Sequence, residues 1–146
     1  MPRIKIDLPA TSLATVQIPV RISDINYGNH VGNDALVSII HEARVQWLRG
    51  LGLTELNVGT AGLIMRDLAV EFKAEIFYGD VLMVEILVTD VSEVAFDLYY
   101  RLSNNAGIMV AKARTGMVCY SYVDKKAVKL PVEFSSLLNP RPDKFL

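Results

Sequence analysis

One short segment concentrates the side chains able to do chemistry. Asp24, Asn26, Asn29, His30, Asn33 and Asp34 fall within eleven residues, interleaved with Gly28 and Gly32. An imidazole has a reference pKa near 6.5, which suits His30 to general-base activation of water. Asp24 can accept a proton or orient that ring, whereas Asn26 and Asn33 can donate and accept hydrogen bonds but take no proton. The segment runs into a helix start. There the first backbone N–H groups have no intrahelical partner and carry the positive end of the helix dipole. Such amides can hold a polarised carbonyl or an oxyanion, and losing one comparable donor costs about 10²–10³-fold in rate. A base or nucleophile beside them completes a hydrolytic site. The same residue types also build ordinary turns, with Gly32 or Asn33 as helix cap, so spacing alone leaves both readings open.

The flanking elements must position this loop. Ala14 to Ile22 places Val16, Ile18, Val20 and Ile22 on one face, a period-two strand in which Pro19 marks an edge or a bulge. From Asn33 to Arg49 the period changes. Leu36, Ile39, Ile40, Ala43 and Trp47 form a helix face, widened by Val37, Val45 and Leu48. Asp34, Ser38, Glu42 and Arg49 share the polar strip, and Gly50 and Gly52 end the helix. Extended runs follow at Leu63–Ile76, Val81–Val91, Val94–Ser103 and Ile108–Val123. Turns are read at Phe77–Asp80, Asn104–Gly107 and Asp124–Lys126, and a short helix from Pro131. Consecutive strands joined by hairpins imply an antiparallel sheet. The expected class is α+β, a curved antiparallel sheet wrapped around one long central helix.

Composition sets the outer bounds. The chain has 146 residues, 51% of them hydrophobic, and a formal net charge of -1. That length reads as one domain, residues 1–146, with room for a real core. The charge balance argues against an electrostatic nucleic-acid binder. Cys119 is the single cysteine, so neither an intrachain disulfide nor an all-cysteine zinc cage is possible. No apolar run is long enough for a membrane helix, and no export signal is read at the start, so a cytoplasmic location is expected. Mean hydropathy is +0.30, high enough to suggest apolar surface hidden against a second chain.

The stretch Val20–Gly52 resembles the opening of hotdog-fold thioesterases, most closely the 4-hydroxybenzoyl-CoA thioesterase-like group. That group reads Arg, Asp-x-Asp, Gly-His-Val-x-Asn, then a helix with Glu-Ala-Arg. This chain supplies Arg21, Asp24, His30-Val31, Asn33 and Glu42-Ala43-Arg44 in that order. Glu71-Phe72, Tyr78-Gly79-Asp80 and Pro131 also fit, so the resemblance spans nearly the whole chain. It implies a hotdog fold, a homodimer or homotetramer, and an acyl-CoA or acyl-carrier thioester substrate, with no metal and no bound cofactor.

Two departures bear on mechanism. The usual catalytic carboxylate, the second Asp of Asp-x-Asp, is Asn26 here, and the glycine before the histidine is replaced by Asn29. The catalytic set expected is therefore Asp24, Asn26, His30 and Glu42, with Tyr27, Gly32 and Asn33 binding substrate. The thioester carbonyl would rest on the Gly32 and Asn33 amides, with Asn26 and His30 positioning it and a water. Glu42 lies nine residues past Asn33, roughly 14 Å along a helix, too far to serve its own helix N-terminus. Another branch of the fold takes a carboxylate from the facing chain's central helix. Glu42 of a second chain, or Asp24, would then act as base or nucleophile. The ordinary alternative for Glu42 is a surface pair with Arg44 or Arg49.

Other residues have plainer readings. His30 and His41 lack the spacing of a helical zinc motif. Trp47 belongs to the core, and Cys119 is a buried thiol. Lys112, Arg114, Lys125, Lys126, Lys129 and Arg66 could meet CoA phosphates or simply be solvated. Two rival functions remain: a non-catalytic acyl-CoA or acyl-carrier binding module, favoured by Asn26, and an enoyl-CoA hydratase or dehydratase using His30 and Glu42.

Overall fold

The computed structural model describes residues 3–139. In chain order the elements are β1 (Thr11–Pro19), a 3₁₀ turn (Ile22–Asp24), α1 (Asn33–Gly50), β2 (Gly62–Phe72), β3 (Val81–Thr89), β4 (Ala95–Ser103), β5 (Met109–Ser121), β6 (Lys126–Ala127) and α2 (Val132–Leu137). The five long strands are antiparallel in the order β1-β3-β4-β5-β2, and β6 pairs with β5. The expected α+β architecture is the one observed.

The core lies between one sheet face and α1. Leu82, Val84 and Ile86 of β3, Leu98, Tyr100 and Leu102 of β4, and Ala113 and Thr115 of β5 all point inward with no exposed surface. Leu36, Ile40 and Leu48 of α1 meet them, each buried to within 1%. Burying a side chain of that size contributes roughly 1.5–3 kcal/mol. Phe134 of α2 closes the far end, its ring 6.1 Å from Trp47 and 5.7 Å from Phe96.

Two boundaries differ from the sequence reading in ways that shape the site. The first strand ends at Pro19, not Ile22, and Ile22 is 70% exposed. Its apolar alternation continues, but Asp24 captures the Arg21 backbone N–H at 2.8 Å and winds the chain into the 3₁₀ turn. The second strand ends at Phe72, not Ile76. Residues 73–80 form a loop in which Ile76 is buried and its carbonyl accepts the Val31 N–H at 2.8 Å. Smaller differences occur in α1. It runs through Gly50 and ends at Leu51, with Gly52 in the left-handed region at φ +76°.

β1 and β2 are the two sheet edges. Pro19 closes β1, which fits its expected edge position. β2 exposes Met65, Leu68 and Phe72 by 37–49%. Among the described residues no helix is long and apolar enough to cross a membrane.

Candidate active site

The loop before α1 is a closed, hydrogen-bonded unit. Asn26 N–H donates to the His30 carbonyl at 2.9 Å, Asn29 N–H donates to the Asn26 carbonyl at 3.1 Å, and Ile25 bridges Val31. The Asn26 side-chain oxygen accepts the Gly28 N–H at 2.8 Å, an Asx turn. Asn29 sits at φ +67°. Glycine and asparagine are the residues that tolerate that conformation, which explains why Asn29 can stand where the resembled group has glycine. At Gly32 an added Cβ would lie 2.8 Å from Asp34 Oδ1 and 3.5 Å from Asn26 Cβ. The missing side chain lets the loop close onto the helix start.

Of the two amides expected to hold the carbonyl, one is committed elsewhere. Gly32 N–H donates to the Asp24 carbonyl at 3.3 Å, so in this chain it already has an acceptor. It caps the helix through its own carbonyl, which accepts Leu36 N–H at 3.0 Å. Asp34 N–H is taken by Asn33 Oδ1 at 3.0 Å. The Asn33 and Ala35 amides remain as the first-turn donors with no intrahelical acceptor.

The expected residues divide between two clefts. One, of about 640 Å³, is lined by Asn26, His30 and Asn33 together with Phe72, Lys73 and Ile76. There His30 Nδ1 lies 3.2 Å from the Val31 carbonyl. A carbonyl only accepts, so Nδ1 carries the proton and Nε2 is left as the basic nitrogen. The second cleft, of about 420 Å³, is lined by Arg21, Asp24, Ser38, His41, Glu42 and Gln46. Asp24 therefore sits with Glu42 and not with Asn26. Both its carboxylate oxygens face Arg21: Oδ2 accepts the backbone N–H, and Oδ1 lies 3.4 Å from Nη2. Its work is to hold the turn. Glu42 accepts from Gln46 Nε2 at 2.7 Å, one helical turn along, and pairs with neither Arg44 nor Arg49. Tyr27 is fully exposed and lines neither cleft, so its expected place against substrate is not seen within one chain. His30 and His41 also fall in different clefts. A cavity of about 950 Å³ between the β3 end and α2 holds none of these residues.

Behind the second cleft lies a network that the sequence reading missed. Arg44 is buried. Its Nε donates to Glu55 Oε2 at 2.5 Å and its Nη1 to the Tyr100 hydroxyl at 3.1 Å. Tyr100 and Thr115 are 2.8 Å apart through their hydroxyls. Glu55 Oε1 meets His41 Nε2 at 2.7 Å. Burial works against the Glu55 charge, but the hydrogen bonds and charges of Arg44 and His41 outweigh it and hold its pKa below the usual value. Burial pushes the Tyr100 hydroxyl up. A sequence signal for Arg44 did exist: it stands four residues after Ile40 and four before Leu48, both wholly interior.

Residues 20–138 match the model of the thioesterase-like superfamily, which covers the loop, α1, strands β2 to β6 and the whole of α2, and leaves out β1. The chain belongs to that superfamily. This thioesterase shares 32% identity over 99 residues with a 1,4-dihydroxy-2-naphthoyl-CoA hydrolase of Microcystis aeruginosa, covering 66% of this chain and 71% of that one. A hydrolase of the same name from Synechocystis sp. is 27% identical over 121 residues, 80% of this chain and 88% of that one. The crystal structure of a Synechocystis 1,4-dihydroxy-2-naphthoyl-CoA thioesterase superposes with a TM-score of 0.77 at 26% identity, covering 85% and 93%. The fold is thus that of hotdog thioesterases, and the activity of this thioesterase is acyl-CoA thioester hydrolysis.

Proposed function

We propose that this thioesterase hydrolyses an aromatic acyl-CoA ester of the 1,4-dihydroxy-2-naphthoyl-CoA type at sites shared between two copies of the chain. The observation that carries the reading is the division of the polar residues. Asn26, His30 and Asn33 line one cleft, and Glu42 lines another. Along α1 the rise from Asn33 to Glu42 is roughly 14 Å, too far for one thioester to span within a chain. A second chain can supply the missing half. The free edge of β2 supports where it would dock. An unpaired, apolar edge strand is a template for pairing, and Phe72 of that strand also walls the Asn26–His30 cleft.

In this site the thioester carbonyl accepts hydrogen bonds from Asn33 N–H and Asn26 Nδ2, which stabilise negative charge as it develops on oxygen. His30 Nε2 accepts from a polar group of the substrate and fixes its orientation. Glu42 of the facing chain takes the proton of the attacking water. The tetrahedral intermediate then collapses, the C–S bond breaks, and free acid and thiol leave. The substrate class is supported by the relatives' activity and by the cleft itself. About 640 Å³, with Val31, Phe72 and Ile76 on its walls, accommodates a bicyclic aromatic acid.

The test is thiol release across short, long and aromatic acyl-CoA esters for the wild type and for Asn26→Ala, His30→Ala and Glu42→Gln. The naphthoyl-type ester is expected to give the highest kcat/KM, and Asn26→Ala to lose about 10²-fold. Full turnover in all three variants would overturn the residue assignment. A preference for long aliphatic esters would overturn the substrate class.

A further inference from the structure

The reading above leaves unused the side chain with the most elaborate support in the second cleft. His41 lines that cleft beside Glu42. Its Nε2 is fixed at 2.7 Å from Glu55 Oε1. Glu55 is fixed in turn by Arg44, and Arg44 by Tyr100, which bonds Thr115 in the core. Arg44, Tyr100 and Thr115 are all buried, so this chain of contacts ties a cleft histidine to the interior of the sheet. A histidine with no task on an exposed helix face does not require such an anchor.

The charged groups around His41 can be named. Glu55 contacts it from the loop after α1, with Arg44 behind. Glu42 adjoins it on α1. Asp24 of the 3₁₀ turn and Arg21, which caps it, line the same cleft. Asp24 and Arg21 satisfy each other, and Arg44 satisfies Glu55. Glu55 is a carboxylate and can only accept, so His41 Nε2 is the donor in their contact. Nδ1 is the ring nitrogen left open, with no partner among the described residues. The Glu55 contact sets both the tautomer and the ring plane, as a carboxylate does for a working histidine.

We propose that His41 is a second catalytic residue of the shared site, the general acid that protonates the departing sulfur. The inference rests on the reading that Glu42 of the facing chain is the base. Glu42 accepts a proton from water as the water oxygen bonds to the carbonyl carbon. When the C–S bond breaks, its electron pair stays on sulfur, and the sulfur takes the proton from Nδ1 of the His41 imidazolium. The products are the free acid and the thiol, leaving protonated Glu42 and neutral His41. Transfer of that proton between the adjacent residues through solvent restores the starting state. Glu55 and Arg44 are positioning residues for this step.

A general acid matters most when the leaving thiol is basic. The experiment therefore compares His41→Gln with wild type on two thioesters of one aromatic acid, the CoA ester and an ester of an acidic aryl thiol. His41 is 56% exposed, so the substitution leaves the core untouched. We expect kcat to fall about 10²-fold on the CoA ester. On the aryl thioester, whose sulfur leaves without a proton, little or no fall is expected. Equal losses on both esters would assign His41 a structural role, and no loss on either would give it none; each overturns the inference. Glu42→Gln is the internal control for the underlying reading, because its loss is expected to be the same on both esters. If Glu42→Gln keeps full activity while His41→Gln shows the leaving-group pattern, the base assignment fails and the acid assignment stands.

Discussion

The Asn26 side chain spends its oxygen on Gly28, 2.8 Å away, and so presents its Nδ2 as the end available to a ligand. This single contact fixes which way the amide works. It makes Asn26 a donor toward the cleft, at a position where the resembled group carries a carboxylate. Asn26→Asp keeps the Asx turn, since a carboxylate oxygen accepts the Gly28 N–H equally well. It removes the donor, however, and sets negative charge against the carbonyl oxygen. The expected result is a fall in kcat of about 10²-fold on the preferred acyl-CoA ester. A large rise would show that a carboxylate mechanism is latent in the fold and that the native amide suppresses it.

The Arg44–Glu55 pair predicts a stability effect. Arg44→Met removes two hydrogen bonds donated by the charged guanidinium, one of them to a carboxylate, and leaves the Tyr100 hydroxyl with Thr115 alone. Glu55 retains a path to solvent, so the cost is below that of breaking a fully buried pair. We expect a loss of about 2–3 kcal/mol in urea unfolding. A loss under about 0.5 kcal/mol, the range of an ordinary surface substitution, would show the network to be energetically idle.

The same pair predicts a pH dependence. Hydrogen bonds from Arg44 and His41 prevail over burial and lower the folded-state pKa of Glu55. A carboxylate whose folded pKa is depressed contributes stability that is full above its unfolded pKa, about 4.3, and is lost as pH falls through the folded value. Unfolding midpoints should therefore fall on acidification from pH 5 to pH 3 more steeply in wild type than in Glu55→Gln. Parallel curves for the two proteins would contradict this.

How much of this was legible follows from the physics of each element. The α1 face was readable because Leu36, Ile40 and Leu48 repeat at helical spacing and the sheet buries that face. Arg44 obeys the same spacing, yet a charged residue reads as exposed unless its partners are known, and they lie 11 and 56 positions away. The end of β1 was misplaced because alternation says nothing of Asp24 capturing the Arg21 N–H. The order of Asp24, Asn26, His30 and Asn33 drew attention to the loop before α1. Their division between two clefts was hidden, because it depends on the direction in which the 3₁₀ turn aims Asp24.

The shared site makes the most demanding prediction. If each site joins the Asn26–His30 cleft of one chain to Glu42 of the other, two inactive proteins can repair one another. In a heterodimer of Asn26→Ala with Glu42→Gln, one site carries both defects and the other carries neither. Random reassortment makes half the dimers mixed, so activity should return to about a quarter of wild type on mixing after mild dissociation. Sites built within one chain would recover nothing, because every site would keep one defect. Placing a charge on the β2 edge, as in Leu68→Arg, should separate the two outcomes further. It is expected to shift the protein toward monomer in sedimentation and to abolish turnover while leaving the far-ultraviolet circular dichroism unchanged. A monomeric Leu68→Arg variant with full kcat would show that one chain holds a complete site.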